Sequence, residues 1–86
     1  MISFIIPLYN KESTIINCVN SILNNISGKS YEVIIIDDDS SDNSFTLIKN
    51  AFIIYDNISI YKNKVNRGRS YTRNKGLKLS RYDYVY

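Results

Sequence analysis

The 86-residue sequence has no histidine and only one cysteine, Cys18. A zinc site built from imidazole and thiolate is therefore excluded, as is a catalytic triad that relies on histidine. Cys18 also has no second cysteine with which to form an internal disulfide. Oxygen is left as the ligand for a metal, and it suits Mg²⁺ or Mn²⁺. Long apolar runs are missing as well. The apolar start, residues 1–8, is far shorter than the roughly 20 residues that span a bilayer. It carries neither a basic leader nor a cleavage site, so it is not a signal peptide. No transmembrane segment is expected, and the expected location is the cytoplasm.

Charge of either sign is moderate. The net value of +3 is too small to argue for a nucleic-acid partner, and none is expected. With 44% hydrophobic residues, disorder is not expected either. The charges that are present are unevenly placed. Lys62, Lys64, Arg67, Arg69, Arg73, Lys75, Lys78 and Arg81 crowd one late stretch, while Asp37, Asp38, Asp39 and Asp42 cluster in the middle. A late basic stretch suits phosphate or a solvated helix face.

Apolar periodicity gives the order of elements. Residues 2–6 are a short β-branched run ended by Pro7, the pattern of a buried strand. Ile15, Ile16, Val19, Ile22, Leu23 and Ile26 follow at helical spacing, with Asn10 or Ser13 as cap and Gly28 as stop. Residues 31–36 form a second strand. Phe45, Ile48, Phe52 and Tyr55 mark a second helix capped by Ser41 or Asp42, 58–61 a third strand, 70–80 a third helix and 83–86 the start of a fourth strand. The order β-α-β-α-β-α-β implies an α/β fold with a mostly parallel sheet and right-handed crossovers. Ligands of such sheets bind at the carboxyl ends of the strands. Loops 7–13, 37–43 and 62–70 leave those ends, and both charge clusters meet them.

The first of these loops, Pro7-Leu8-Tyr9-Asn10-Lys11-Glu12, has no glycine. It is neither a dinucleotide fingerprint nor a Walker A loop. Tyr9 is suited to stacking on a base, and the backbone near Pro7 and Leu8 to reading its edge. A plain strand-to-helix turn remains the alternative. The second loop holds three consecutive carboxylates, which raise one another's pKa unless a cation, a ligand or helix N-termini compensate. Capping is expected of Asp39, Ser41 and Asp42, and function of Asp37 or Asp38. In the third loop Gly68 suits a turn with positive φ. Arg67, Arg69 and Arg73 bring charge to a helix start, a combination that favours phosphate. Gly76, inside the third helix, implies a close approach by another segment.

Taken together these segments resemble family 2 glycosyltransferases. The resemblance runs through Ile5-Ile6-Pro7-Leu8-Tyr9-Asn10-Lys11-Glu12, Ser21-Ile22-Leu23, the strand and acidic loop from Val33 to Ser44, and Asn66-Arg67-Gly68 followed by Arg73-Asn74-Lys75-Gly76-Leu77. It implies a partial GT-A (Rossmann-like) fold and a nucleotide-diphosphate sugar donor, a UDP-sugar being favoured. It implies further that Pro7, Tyr9 and Glu12 line the base and ribose pocket, that Asp37 and Asp38 belong to the nucleotide-sugar site, with Asp38 accepting a hydrogen bond from the base, and that Arg73 lies near the base or diphosphate. Asp39 departs from the pattern, which commonly has glycine or asparagine there.

On this resemblance residues 1–86 are expected to be the N-terminal nucleotide-binding part of the domain, ending before its metal-binding acidic motif. Mg²⁺ or Mn²⁺ is expected for the full-length domain, with its ligands and the general base outside this chain. The acceptor implied is a glycan or lipid-linked hydroxyl, and full-length relatives working at the inner membrane face leave peripheral attachment open. The alternative is a catalytically inactive fragment or weak nucleotide-binding module. A receiver domain is disfavoured because the acids follow the second strand and not the first. A sugar nucleotidyltransferase is disfavoured because its glycine-rich first loop is absent.

Overall fold

A computed structural model describes residues 2–25, 31–80 and 84–85. Its elements are β1 (Ile2–Leu8), α1 (Ile15–Asn25), β2 (Tyr31–Asp37), α2 (Ser44–Phe52), β3 (Ile58–Lys62), α3 (Arg69–Leu79) and β4 (Tyr84–Val85). The strands lie in the order β3-β2-β1-β4, and every pairing is parallel. The expected α/β architecture is therefore present. Ile26, Gly28, Asp83 and Tyr86, which figured in the expected helix and strand ends, and Arg81 of the late basic stretch lie outside the described residues. No helix among the described residues is long and apolar enough to cross a membrane.

β2 explains the layering. It pairs with β1 on one side and β3 on the other, and residues 32–37 are all buried. A central parallel strand has both faces covered, so its sequence shows a continuous run of isoleucine and not an alternation. Val33 and Ile35 join Leu8, Ile15, Val19, Ile48 and Phe52 in the core formed with α1 and α2. Each such side chain contributes about 1.5–3 kcal/mol when fully buried. Ile34 and Ile36, of opposite parity, face the layer that holds α3. α2 stops at Phe52, so Tyr55 falls beyond the helix and packs its ring 5.7 Å from that of Phe52.

α3 has little apolar surface, and its buried residues are Thr72 and Gly76. Four residues apart, they form one stripe of small side chains. A Cβ added at Gly76 would collide with Ile5 Cγ2 and lie 3.3 Å from Ile36 Cδ1. The glycine is there because the helix backbone rests directly on β1 and β2. Gly76→Ala is expected to destabilise the fold by about 1–3 kcal/mol through overpacking. Urea unfolding of Gly76→Ala, Ile5→Ala and the double variant checks the cause: the double variant should lose less than the sum of the two.

Candidate functional site at the strand ends

β1, β2 and β3 end in register, with Leu8 opposite Asp37 and Asp37 opposite Lys62. Their three outgoing loops therefore emerge side by side. The first two cross-link through backbone amides that the helix starts leave unpaired. Asn10 N donates to Ser40 Oγ (2.9 Å), Lys11 N to Ser44 Oγ (2.8 Å) and Glu12 N to Asp42 Oδ2 (3.3 Å). In return, Ser41 N (2.8 Å) and Asp42 N (3.3 Å) donate to Asn10 Oδ1. Asn10, with Ser13 one of two residues expected to cap α1, binds the amides of the neighbouring loop instead. The backbone at Asn10 is left-handed, with φ of 51°. Ser41 or Asp42 was expected to cap α2; the N-cap position falls to Asn43, whose side chain makes no cap bond, and Asp42 just before it accepts from Ser44 N at 2.9 Å.

The three consecutive acids do not share one environment. Asp37 is fully buried and accepts from Ser40 N (2.9 Å) and Ser40 Oγ (2.6 Å), closing its own turn. Asp39 takes a left-handed φ of 58°, where glycine is the residue with least strain and Asp or Asn the next. Asp38 reaches the third loop. Its Oδ1 accepts from Asn63 Nδ2 (2.9 Å) and Arg67 N (2.8 Å), its Oδ2 from Gly68 N (2.8 Å), and its carbonyl from Asn66 Nδ2 (3.2 Å). Its own N–H donates to Leu8 O at 2.8 Å.

Mutual repulsion was expected to raise these carboxyl pKa values. Asp38 shifts the other way. Burial alone raises its pKa, but hydrogen bonds from Asn63, Arg67 N, Gly68 N and Thr72 outweigh that and bring it below 3.8. Asp42 is lowered too: partial desolvation opposes ionisation, and bonds from Ser44 and Glu12 N overcome it. Side-chain donors first, and backbone N–H groups after them, do this compensating.

Between the three loops lies a cleft of about 370 Å³. Pro7, Leu8, Tyr9 and Lys11 line it from the first loop, Asp38 from the second, and Asn66, Gly68, Arg69 and Thr72 from the third loop and α3. Pro7, Tyr9 and Asp38 thus come together as the sequence led one to expect. Asp37 is buried in its turn, while Glu12 and Arg73 are exposed and stand away from the cleft wall. Gly68 has the expected positive φ, 91°, at the head of α3. Lys11, Asn66 and Thr72 were not singled out. Thr72 was visible in principle, since it stands four residues before Gly76 on an otherwise polar helix.

Among the described residues, no group of three or more His, Cys, Asp or Glu is placed to hold a metal ion. Asp38 is the only carboxylate on the cleft wall, and its oxygens already hold three N–H donors. These residues do not by themselves fit a divalent cation.

Comparison with known proteins now places this arrangement. The sequence model of Glycosyl transferase family 2 matches residues 3–86. The chain belongs to that family. It is 34% identical over 86 residues to the poly(ribitol-phosphate) beta-glucosyltransferase of Bacillus spizizenii, covering 98% of this chain and 14% of the relative. It is 39% identical over 88 residues to the poly(ribitol-phosphate) beta-N-acetylglucosaminyltransferase TarP of Staphylococcus aureus, covering 99% and 26%. Among solved structures, S. aureus TarS 1–349 in complex with UDP-GlcNAc superposes with a TM-score of 0.86 at 27% identity, covering 98% of this chain and 24% of that one. A Pyrobaculum calidifontis mannosyltransferase in complex with GDP-Man and Mn²⁺ shares the fold, with a TM-score of 0.82 at 20% identity over 93% of this chain and 24% of that one. The family 2 chain described here spans between 9% and 34% of the length of such curated relatives. The GT-A-type fold expected of it is thereby established.

Asp38→Asn turns an amide donor toward the N–H groups of Arg67 or Gly68. We expect a loss of about 2 kcal/mol in urea unfolding at neutral pH. Because the folded-state pKa lies below the ordinary 3.8, the Asp38 contribution is complete above that value and is lost as pH falls through the lowered one. The acid limb of the stability profile should be shallower in Asp38→Asn, with the part due to Asp42 retained.

Proposed function

We propose that this chain forms the nucleoside-holding part of a domain that transfers a sugar from a nucleotide-diphosphate sugar to an acceptor hydroxyl, with inversion, in the synthesis of a polysaccharide or other glycan. The observation that carries this reading is the cleft in which Pro7, Tyr9 and Asp38 meet the head of α3 at the carboxyl ends of three parallel strands. Tyr9 is 46% exposed, which leaves its ring free to stack on a base. Asp38 stands on the cleft wall, where its carboxylate is the acceptor proposed for a base N–H. Lys11 and Arg69 supply positive charge on opposite walls for a diphosphate.

UDP is the favoured nucleotide, supported by the UDP-GlcNAc and UDP complexes of S. aureus TarS at 27% identity. Glu12 and Arg73 retain a part only if they swing toward the bound donor. The reading assigns no catalytic residue to this chain. It gives the Mg²⁺ or Mn²⁺ ligands and the base that activates the acceptor hydroxyl to the rest of the family domain. The acceptor proposed is a cell-surface polymer, in keeping with the poly(ribitol-phosphate) transferases among the relatives.

Titration calorimetry with UDP, CDP and GDP, with and without Mn²⁺, tests the nucleoside role. UDP should bind most tightly. Tyr9→Ala should weaken UDP about tenfold, the value of one base–aromatic stack, and leave the unfolding midpoint in place. Failure of every nucleoside diphosphate to bind, or equal UDP affinity in wild type and Tyr9→Ala, would sink the assignment.

A further inference from the structure

A second cleft, of about 280 Å³, lies beside the first and is lined by Lys62, Asn63, Lys64, Val65, Arg67, Tyr71 and Lys75. The two share one wall and divide its residues. Asn66, Gly68, Arg69 and Thr72 face the first cleft, whereas Arg67, Tyr71 and Lys75 face the second. On α3 the pair Tyr71 and Lys75 is spaced by one helical turn, so both side chains fall on one side of the helix.

The second cleft is strongly and unilaterally charged. Four of its lining residues are cationic and none is acidic. Like charges gathered in a recess repel, and a carboxylate would normally stand among them. Here the partners are neutral. The Arg67 guanidinium lies 5.5 Å from the Tyr71 ring centre, and Lys62 Nζ lies 5.2 Å from that of Phe45. Lys75 Nζ donates to Asn63 Oδ1 at 2.9 Å. Asn63 is only 3% exposed, and its Nδ2 is fixed by Asp38 Oδ1 (2.9 Å) and Thr72 Oγ1 (3.0 Å). Its carbonyl oxygen is thereby turned to Lys75. The ammonium group is positioned through a buried amide, and among the described residues no carboxylate lines the cleft beside it.

We propose that this basic cleft binds a phosphate group of a phosphodiester-linked acceptor polymer while the adjoining cleft holds the donor nucleotide. The proposal rests on the donor reading given above and deepens it by naming an acceptor subsite and its chemistry. A guanidinium and several ammonium groups around one recess match the oxygens of a phosphate better than the two of a carboxylate. A polymer suits the geometry better than a membrane, because Lys62, Lys64, Arg67 and Lys75 gather round one recess, the first three of them open to solvent. The most exposed of the large apolar side chains, Ile53 and Ile54, precede β3 and so lie at its opposite end, while Val65 and Tyr71 are the exposed ones at the cleft itself.

The test pairs Lys62→Ala/Lys64→Ala with the unaltered chain, and uses a short glycerol-phosphate oligomer as the probe. Inorganic phosphate, a neutral dextran oligomer and vesicles of phosphatidylglycerol serve as the other arms, with UDP titrated separately. The oligomer should bind in a salt-sensitive manner, weaken at least tenfold in the double variant and remain bound when UDP is added. UDP affinity should change less than twofold. Four results would overturn the proposal: oligomer affinity that ignores the substitutions, inorganic phosphate binding as tightly as the oligomer, retention on vesicles in place of the oligomer, or displacement of the oligomer by UDP. Oligomer binding without any UDP binding would remove the donor reading and leave the phosphate cleft. UDP binding without a variant-sensitive oligomer would remove the cleft alone.

Discussion

The Asp38 carboxylate is the contact on which the arrangement of all three strand-end loops depends. Its backbone N–H is tied to Leu8 O at the end of β1, and its side chain takes the N–H groups of Arg67 and Gly68 ahead of α3. A buried ionised carboxylate is tolerable only when donors replace its lost hydration. Two backbone amides, the Asn63 amide and the Thr72 hydroxyl do so here, strongly enough to lower its pKa despite burial. The charge and the loop stabilise each other. Without the carboxylate the amides of residues 67 and 68 would lose their acceptor, and without those amides fewer donors would oppose the burial that raises its pKa.

Around that contact the first two loops form a frame by exchanging caps. A phosphate-cradling loop usually relies on glycine to expose its amides. This chain has no glycine in the first loop and spends those amides on Ser40, Ser44 and Asp42 instead. The frame is thus polar, cross-braced and already satisfied before any ligand arrives. It leaves side chains, Tyr9 and Lys11 above all, to face the cleft. The left-handed residues Asn10 and Asp39 are part of the same device. Each carries a short polar side chain that tolerates positive φ, and the first uses it to hold the other loop.

The layered fold was legible because it follows from periodicity. The isoleucine run of β2, the helical spacing of α1 and Gly76 inside α3 each imply one packing solution. The three loops were legible as a site because parallel strands deliver their carboxyl ends to one edge. Side-chain direction within the loops was not legible. Asn10 read as a local cap because sequence shows only local partners, and its real partners are 31 and 32 residues away. Glu12 and Arg73 carry the right chemistry, but one gives only its amide to the neighbouring loop and the other sits on the exposed side of α3. The downward shift of Asp38 was hidden for the same reason: adjacency in sequence announces repulsion, while the donors that reverse it come from 25 to 30 residues further on.

The position of α3 links the packing to both clefts. A helix with so little apolar surface gains little from burial, so close contact must hold it in place. Gly76 provides that contact against Ile5 and Ile36, and Thr72, one turn earlier, is fully buried. Thr72 also meets Asn63 Nδ2, whose other bond goes to Asp38. The stripe that seats the helix therefore runs on into the polar network that shapes the loops. Because Arg69 and Lys75 ride on the same helix and face different clefts, the seating of one small-residue stripe sets the positions of cations in both. A shift of α3 by a fraction of an ångström would move both sets of charges together, which makes the helix a shared reference for the two clefts.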